Sequence, residues 1–275
     1  MRLLRPDWPA PPAVRAVSTT REGGLSSGPY ASLNLGDHVG DDPLAVQRNR
    51  ARLRARAGVP VEPHWLRQVH GCTVSALPSV PSSVPTSVPP SVAPSAAPNA
   101  ATSAADAACV ADASVAFGPG SVCVVMTADC LPILLCDAAG GVVAAVHAGW
   151  RGLAAGVIEA TVRRMRRPAG QLLAWLGPAI GPEHFEVGDE VRATFCAARA
   201  EAAMAFRRGV EGRWLADLGL LARQRLGALG VRWIGGGEHC TFAEPERFFS
   251  YRRDGVSGRM ASLIWLESPA LCDAT

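Results

Sequence analysis

Residues 123–152, CVVMTADCLPILLCDAAGGVVAAVHAGWRG, constrain this chain more than any other stretch. Apolar, β-branched runs at 122–127, 131–136 and 142–146 predict buried strands. The small-residue turn at 137–141 separates the last two. Cys130 follows the first run and His147 ends the last. The segment after Gly152 has apolar residues at helical spacing. A thiol and an imidazole at the ends of neighbouring strands, beside Arg151 at a strand-to-helix turn, form a site constellation. In an open α/β sheet that edge is where ligands bind.

The flanking sequence alternates in the same way. Residues 14–39 predict a strand, a polar turn with Arg21, a Gly/Ser loop and a second short strand. The glycines at 23–28 do not make a phosphate loop, because the Lys and the following helix of that motif are missing. Asp41-Asp42-Pro43 opens a helix that Gly58 stops. The segment HWLRQVHGCTV predicts a strand carrying His64 and His70. Further on, 172–176 predicts a strand, a helix starts near Asp189, WLADLGLLARQRLGALG a second amphipathic helix, VRWIGGG a strand, and the aromatic, Arg-rich segment 248–253 precedes a last apolar strand. Interleaved strands and helices give α/β (α+β) with a mixed β-sheet as the fold class, and 275 residues allow one large domain or two small ones.

Residues 76–105 break the pattern. They repeat Pro with Ser, Val and Ala and carry no charge and no aromatic residue. Such a segment cannot bury enough surface to offset its ordering entropy, so a disordered loop insertion is expected there. It carries no chemistry, and a partner for it is not expected.

Other classes are excluded by composition. The net charge of +3 argues for neither nucleic acid nor membrane as partner. All 27 basic residues are Arg, which removes lysine Schiff-base and lysine general-base chemistry. The segment MRLLRPDWPAPPAV places prolines where a secretory signal needs an apolar run, so a cytoplasmic protein with reduced thiols is expected. The eight Cys have neither disulfide-framework nor zinc-knuckle spacing.

Six motifs, SLNLGDHVGDD, QVHG, ADCLPILLCD, HAGWRGL, GPAIGPEHFEVG and FFSYRRDGVSGRMA, together resemble the YfiH family. Its members were once labelled polyphenol oxidase or laccase-like and are now regarded as zinc-dependent purine nucleoside phosphorylases. The resemblance spans about residues 14–267, and the departure from it is the Pro/Ser/Val/Ala segment, which is longer than the family's usual link between QVHG and the next strand. It implies a single layered α/β sandwich domain over residues 1–275, related to the cysteine deamidases, and a metal held by His70, Cys130 and His147. It also implies a substrate pocket near Arg21, Asn34 and Arg151. The implied reaction is phosphorolysis of adenosine, inosine and methylthioadenosine, with adenosine deamination beside it. Cys130, His147 and Arg151 are the expected catalytic residues, and Arg21 and Arg151 the expected phosphate holders. Glu183 or Glu186 is the candidate proton shuttle, and Phe249 or Tyr251 the candidate base-stacking ring.

The donor chemistry is consistent with this. Two His and one Cys suit zinc, with copper as the alternative metal, and three protein ligands leave a fourth position open. A rival use of the same atoms makes Cys130 a nucleophile and His147 its base in an amidase acting on a cell-wall precursor. A multicopper oxidase needs paired HxH motifs, and the six His here form none.

Overall fold

A computed structural model describes residues 1–78, 109–210 and 212–268. In chain order its strands are β1 (Leu3–Leu4), β2 (Val14–Thr19), β3 (Val74–Ala76), β4 (Ala113–Phe117), β5 (Val122–Thr127), β6 (Leu131–Asp137), β7 (Val142–Ala148), β8 (Leu172–Leu176), β9 (Glu186–Val187), β10 (Phe206–Arg208), β11 (Trp214–Ala216), β12 (Trp233–Gly236) and β13 (Met260–Leu266). The α-helices are α1 (Pro43–Ala57), α2 (Trp150–Ala155), α3 (Val157–Met165), α4 (Asp189–Ala198), α5 (Leu218–Leu229) and α6 (Tyr251–Asp254).

The strands build two large sheets. One has four antiparallel strands in the order β1-β2-β13-β5, the other six in the order β12-β8-β6-β7-β4-β3. The larger sheet is mixed: β12 and β8 run parallel, β3 and β4 run parallel, and the central pairs are antiparallel. A small third sheet, β10-β11-β9, lies outside them.

Side-chain alternation turns these sheets into layers. On β6, Leu131, Ile133 and Leu135 join a core shared with helices α3, α4 and α5. Leu134 and Cys136 point the other way and pack with Val125, Ile264 and Val14 of the smaller sheet. The outer face of that sheet is covered by Leu53 and Ala57 of α1, which meet Val17, Val124 and Trp265. The order is therefore helix, sheet, sheet, helices, and β6 and β7 are buried on both faces. Their near-continuous apolar sequence is the result.

Local signals account for most boundaries. Asp42 caps α1 by accepting from the Leu44 backbone N–H at 3.0 Å, and Gly58 ends it in the left-handed conformation (φ 69°). The helix predicted after Gly152 starts earlier, at Trp150, and is split at Gly156 (φ 91°), where a left-handed residue interrupts the ladder.

Three expectations need correction. Residues 64–73 are not a strand: His64 and Arg67 make isolated bridges to Cys123 and Val110. Side chains supply the other ties there, as shown below. The second strand expected before residue 39 is also absent, because residues 28–30 form a 3-10 turn and Leu33 and Leu35 are buried in irregular chain. Finally, the low-complexity segment begins later than its composition suggests. Ala76 belongs to β3, and Leu77 is buried and donates its N–H to Val115 O at 2.8 Å. The remainder of the 76–105 insertion lies outside the described residues.

The arrangement brings many element ends to one edge. The register pairs Leu131 with Ala148, Ala113 with Val146, Val74 with Ala113, and Met260 with Thr127. The starts of β3, β4, β6 and β13 thus meet the ends of β5 and β7. Leu135 is fully buried in the helix-side core of this assembly. Leu135→Ala should lower unfolding free energy by about 2–5 kcal/mol with an unchanged denaturant slope, read by urea titration.

Candidate metal centre

His147 is the penultimate residue of β7, and strand alternation sets it on the face between the two sheets, following Val143 and Ala145. It is almost wholly buried. Cys130 sits in the link between β5 and β6, one residue before β6 begins. His70 arrives from the irregular segment ahead of β3. One ligand atom from each, the two ring nitrogens and the thiol sulfur, lie within 4.8 Å of one another. The imidazole rings meet edge to face at a centroid distance of 4.7 Å. Among the described residues this is the one cluster of His, Cys, Asp or Glu able to hold a metal ion.

A buried carboxylate organises this cluster, and reading the sequence did not single it out. Asp112 precedes β4 and is fully buried. Its Oδ1 accepts from His147 Nδ1 at 2.8 Å and from the His70 backbone N–H at 2.8 Å. Its Oδ2 accepts from the Gly71 and Val69 N–H groups at 2.7 and 3.3 Å. The backbone curls around the carboxylate, and His70 takes a left-handed conformation (φ 61°) to do so. That conformation costs a non-glycine residue about 1–2 kcal/mol, offset by three N–H bonds to an anion. Burial alone would raise the Asp112 pKa. The His147 ring and the N–H groups outweigh it and hold the carboxyl below its usual range. With its proton on Nδ1 facing Asp112, His147 offers Nε2 to a metal.

The motif residues around the ligands have specific tasks. Gln68 of QVHG donates to Met126 O at 2.8 Å and accepts from Met126 N–H at 2.7 Å, fastening the loop to β5 in place of a strand ladder. A Cβ on Gly149 would lie 2.8 Å from Cys130 Sγ and 3.1 Å from His70 Cδ2. One on Gly152 would lie 2.7 Å from Gly71 O. Both glycines of HAGWRG therefore permit close approach of α2 to the ligands.

The thiols divide sharply in character. Burial pushes Cys123 and Cys136 up to about 12, as expected of inert core cysteines. Burial acts in the same direction on Cys130, but the charges of His147 and His70 and their hydrogen bonds prevail and bring it down to about 6. His147 moves upward: burial opposes its charge, and Cys130 and Asp112 more than compensate. The donor set of thiolate and two imidazoles fits zinc, and copper by its affinity order.

His70, Cys130 and His147 open onto a cavity of about 510 Å³. Arg151, Arg252 and Arg259 line it, with Trp150, Phe185, Tyr251, Met126 and Ile180 as apolar walls. Of the residues expected at a substrate pocket, Arg151 is there, stacked over Trp150 at 4.4 Å. Arg21 is not among the lining residues. Its Nε and NH1 donate to Ala31 O and Pro245 O, and its guanidinium covers Phe249. Asn34 is fully buried and bonds Gly36, Asp41 and the Arg259 N–H. Glu183 is exposed and paired with Arg207. Glu186 is on β9, and neither glutamate lines the cavity. Of the two candidate stacking rings, Phe249 is fully buried and Tyr251 lines the cavity. Asp129 is the lining carboxylate, and it is occupied: Thr241 Oγ1 donates to it at 2.6 Å and Arg252 N–H at 2.7 Å.

Known proteins resemble the chain over nearly its whole length. Residues 15–267 match the family described as multi-copper polyphenol oxidoreductase laccase. A Pseudomonas aeruginosa protein named purine nucleoside phosphorylase is 52% identical over 265 residues, covering 96% of this chain and 98% of that protein. The Escherichia coli (strain K12) protein named purine nucleoside phosphorylase YfiH is 51% identical over 265 residues, covering 96% and 99%. Among solved structures, a Neisseria meningitidis protein superposes with a TM-score of 0.85 at 47% identity, covering 98% of this chain and 100% of that one. YlmD from Geobacillus stearothermophilus gives 0.83 at 33% identity, covering 98% and 97%.

Asp112→Asn should reduce zinc affinity by about 10- to 100-fold while the circular dichroism spectrum stays native, measured by competition with a chelating dye. Gly149→Ala should act in the same direction with no change of charge, since its methyl displaces the Cys130 sulfur.

Proposed function

The chain belongs to the family described as multi-copper polyphenol oxidoreductase laccase, and we propose that it is a purine nucleoside phosphorylase with zinc held by His70, Cys130 and His147. The observation that carries this reading is the convergence of those three side chains at the wall of a cavity with arginines and an aromatic lining. The names of the relatives supply the reaction class. The laccase description does not suit the site. Multi-copper oxidation needs several imidazole-rich centres, and all six His lie among the described residues, two of them in the single cluster.

Held by His70, Cys130 and His147, zinc would supply Lewis acidity and the means to lower the pKa of a water. The residues do the rest. Asp112 holds the His147 proton at Nδ1 and fixes the ring. Tyr251 and Phe185 offer flat apolar surface to a purine and displace water from it. Cavity arginines hold phosphate against the anomeric carbon. In phosphorolysis a phosphate oxygen forms the new bond to that carbon as the carbon–nitrogen bond breaks. The bonding pair leaves with the purine nitrogen, which takes up a proton, giving pentose 1-phosphate and free base. Adenosine deamination, in which water replaces the amino group and ammonia leaves, is the second activity we assign. Residues 1–275 act as one catalytic domain with small-molecule partners. Among the described residues no helix is long and apolar enough to cross a membrane, and we place the protein in the cytoplasm.

One observation favours a second reading. Cys130, His147 and Asp112 stand in the order thiol, imidazole, carboxylate, which is also the order of a nucleophilic relay. His70 separates the two, because a relay does not need a second imidazole and a zinc site does.

Chromatography of adenosine incubated with zinc-loaded protein should show adenine only when phosphate is present, and inosine with or without it. His70→Ala, Cys130→Ala and His147→Ala should each remove bound zinc and reduce adenine release at least about a hundredfold, as expected for loss of a metal ligand. An amide hydrolase that survives His70→Ala would replace this reading with the relay.

A further inference from the structure

Arg259 has the features of a built anion holder. It directly precedes β13, so it comes from the smaller sheet, whereas Arg151 follows β7 of the larger one. Its backbone is anchored on both sides: the N–H donates to Asn34 Oδ1 at 2.8 Å, and the carbonyl accepts from Leu35 N–H at 3.1 Å. Its stem runs over Gly36, where an added Cβ would sit 2.8 Å from Arg259 Cγ. Its NH1 is fully used, donating to Ser257 O, Ser257 Oγ and Gly258 O at 2.8, 3.3 and 3.0 Å.

What remains of the fork is free. Among the described residues, Nε and NH2 of Arg259 have no hydrogen-bond partner, no carboxylate lies within salt-bridge distance, and neither atom is sealed from solvent. The one lining carboxylate, Asp129, is already held by Thr241 and the Arg252 backbone. Burial pulls the Arg259 pKa down, and the negative charges of Cys130 and Asp129 oppose this, which places the guanidinium in the field of the metal ligands. A half-buried cation whose fork is fixed on one side and open on the other matches a tetrahedral oxyanion with two parallel donors.

We propose that Arg259, with Arg151 across the cavity, is the residue that holds inorganic phosphate, and that Asn34 is a positioning residue that acts through it. This rests on the phosphorylase reading for its substrate and gives the SLNLG motif a reason to lie 225 positions from the residue it serves. It also explains how Arg21, tied to two carbonyls away from the cavity, leaves the anion role to another arginine.

The test compares zinc-loaded wild type with Arg259→Met and Arg259→Lys. Adenine release is followed against phosphate concentration, alongside zinc content, melting temperature, adenosine KM and phosphate-free inosine formation. Arg259→Met should raise the phosphate KM about ten- to a hundredfold, the range for charge-assisted hydrogen bonds, with zinc content retained and the adenosine KM changed far less than the phosphate KM. Arg259→Lys should recover part of that loss, and it serves alone if the Met variant does not fold. An unchanged phosphate KM in the folded variants overturns the proposal, and so does a joint loss of zinc and both activities. If wild type releases no adenine, the phosphorylase reading fails separately. Calorimetric titration with inorganic phosphate then decides: binding to wild type that the Met variant lacks upholds the anion site, and no binding to wild type overturns it.

Discussion

The Asp112 carboxylate is the fixed point of this molecule. It lies inside a protein layer where an unpaired charge would cost several kcal/mol, and so it has to be surrounded by donors. The donors it collects are the His147 ring and three consecutive backbone N–H groups of the loop that carries His70. One anion therefore sets the tautomer of one ligand and the main-chain path of another. Its removal would leave three backbone donors buried without partners and an imidazole free to rotate.

The sheets make this economy workable. Because β6 and β7 are covered on both faces, their ends are rigid, and register alone fixes the positions of Cys130 and His147. The loops are tied to that frame by side chains standing in for missing ladders. Gln68 pairs with Met126 as a neighbouring strand would, and Asn34 pairs with Arg259. Gly149 and Gly152 then allow a helix to come within van der Waals distance of the ligands. The same rigidity lets loops contribute chemistry without moving.

The sequence reveals this unevenly. The buried strands and the helix starting at Pro43 and stopped by Gly58 are legible, since apolar runs and caps leave local marks; His70, Cys130 and His147 are joined in the sequence only through the motif resemblance, and the structure brings them together. Irregular chain held by side chains does not: the segment around QVHG reads as a strand, yet Leu66 is buried while Val69 is exposed, and its order comes from Gln68 and Asp112. Asp112 did leave a signal, a lone acid immediately ahead of an apolar strand, where a carboxylate must be either exposed or fully partnered. Arg21 and Arg259 look alike as text. Only their surroundings separate an arginine consumed by carbonyls from one with half its fork unspent.

The parallel pairing of β3 with β4 has a further consequence. A parallel pair cannot be closed by a hairpin, so the chain must return from the far end of the sheet to the near end before β4 begins. The composition change falls in this obligatory return. Both margins are stitched to the frame, Leu77 to Val115 on one side and Cys109 and Ala111 to Arg67 on the other. Lengthening a flexible connection costs only about 0.6 kcal/mol per doubling. The two clamps therefore fix where the chain leaves the sheet and where it rejoins it, whatever the length between them. Related chains are free to differ there in length and letter while the edge that carries His70, Cys130 and His147, held by its own clamps, keeps its dimensions.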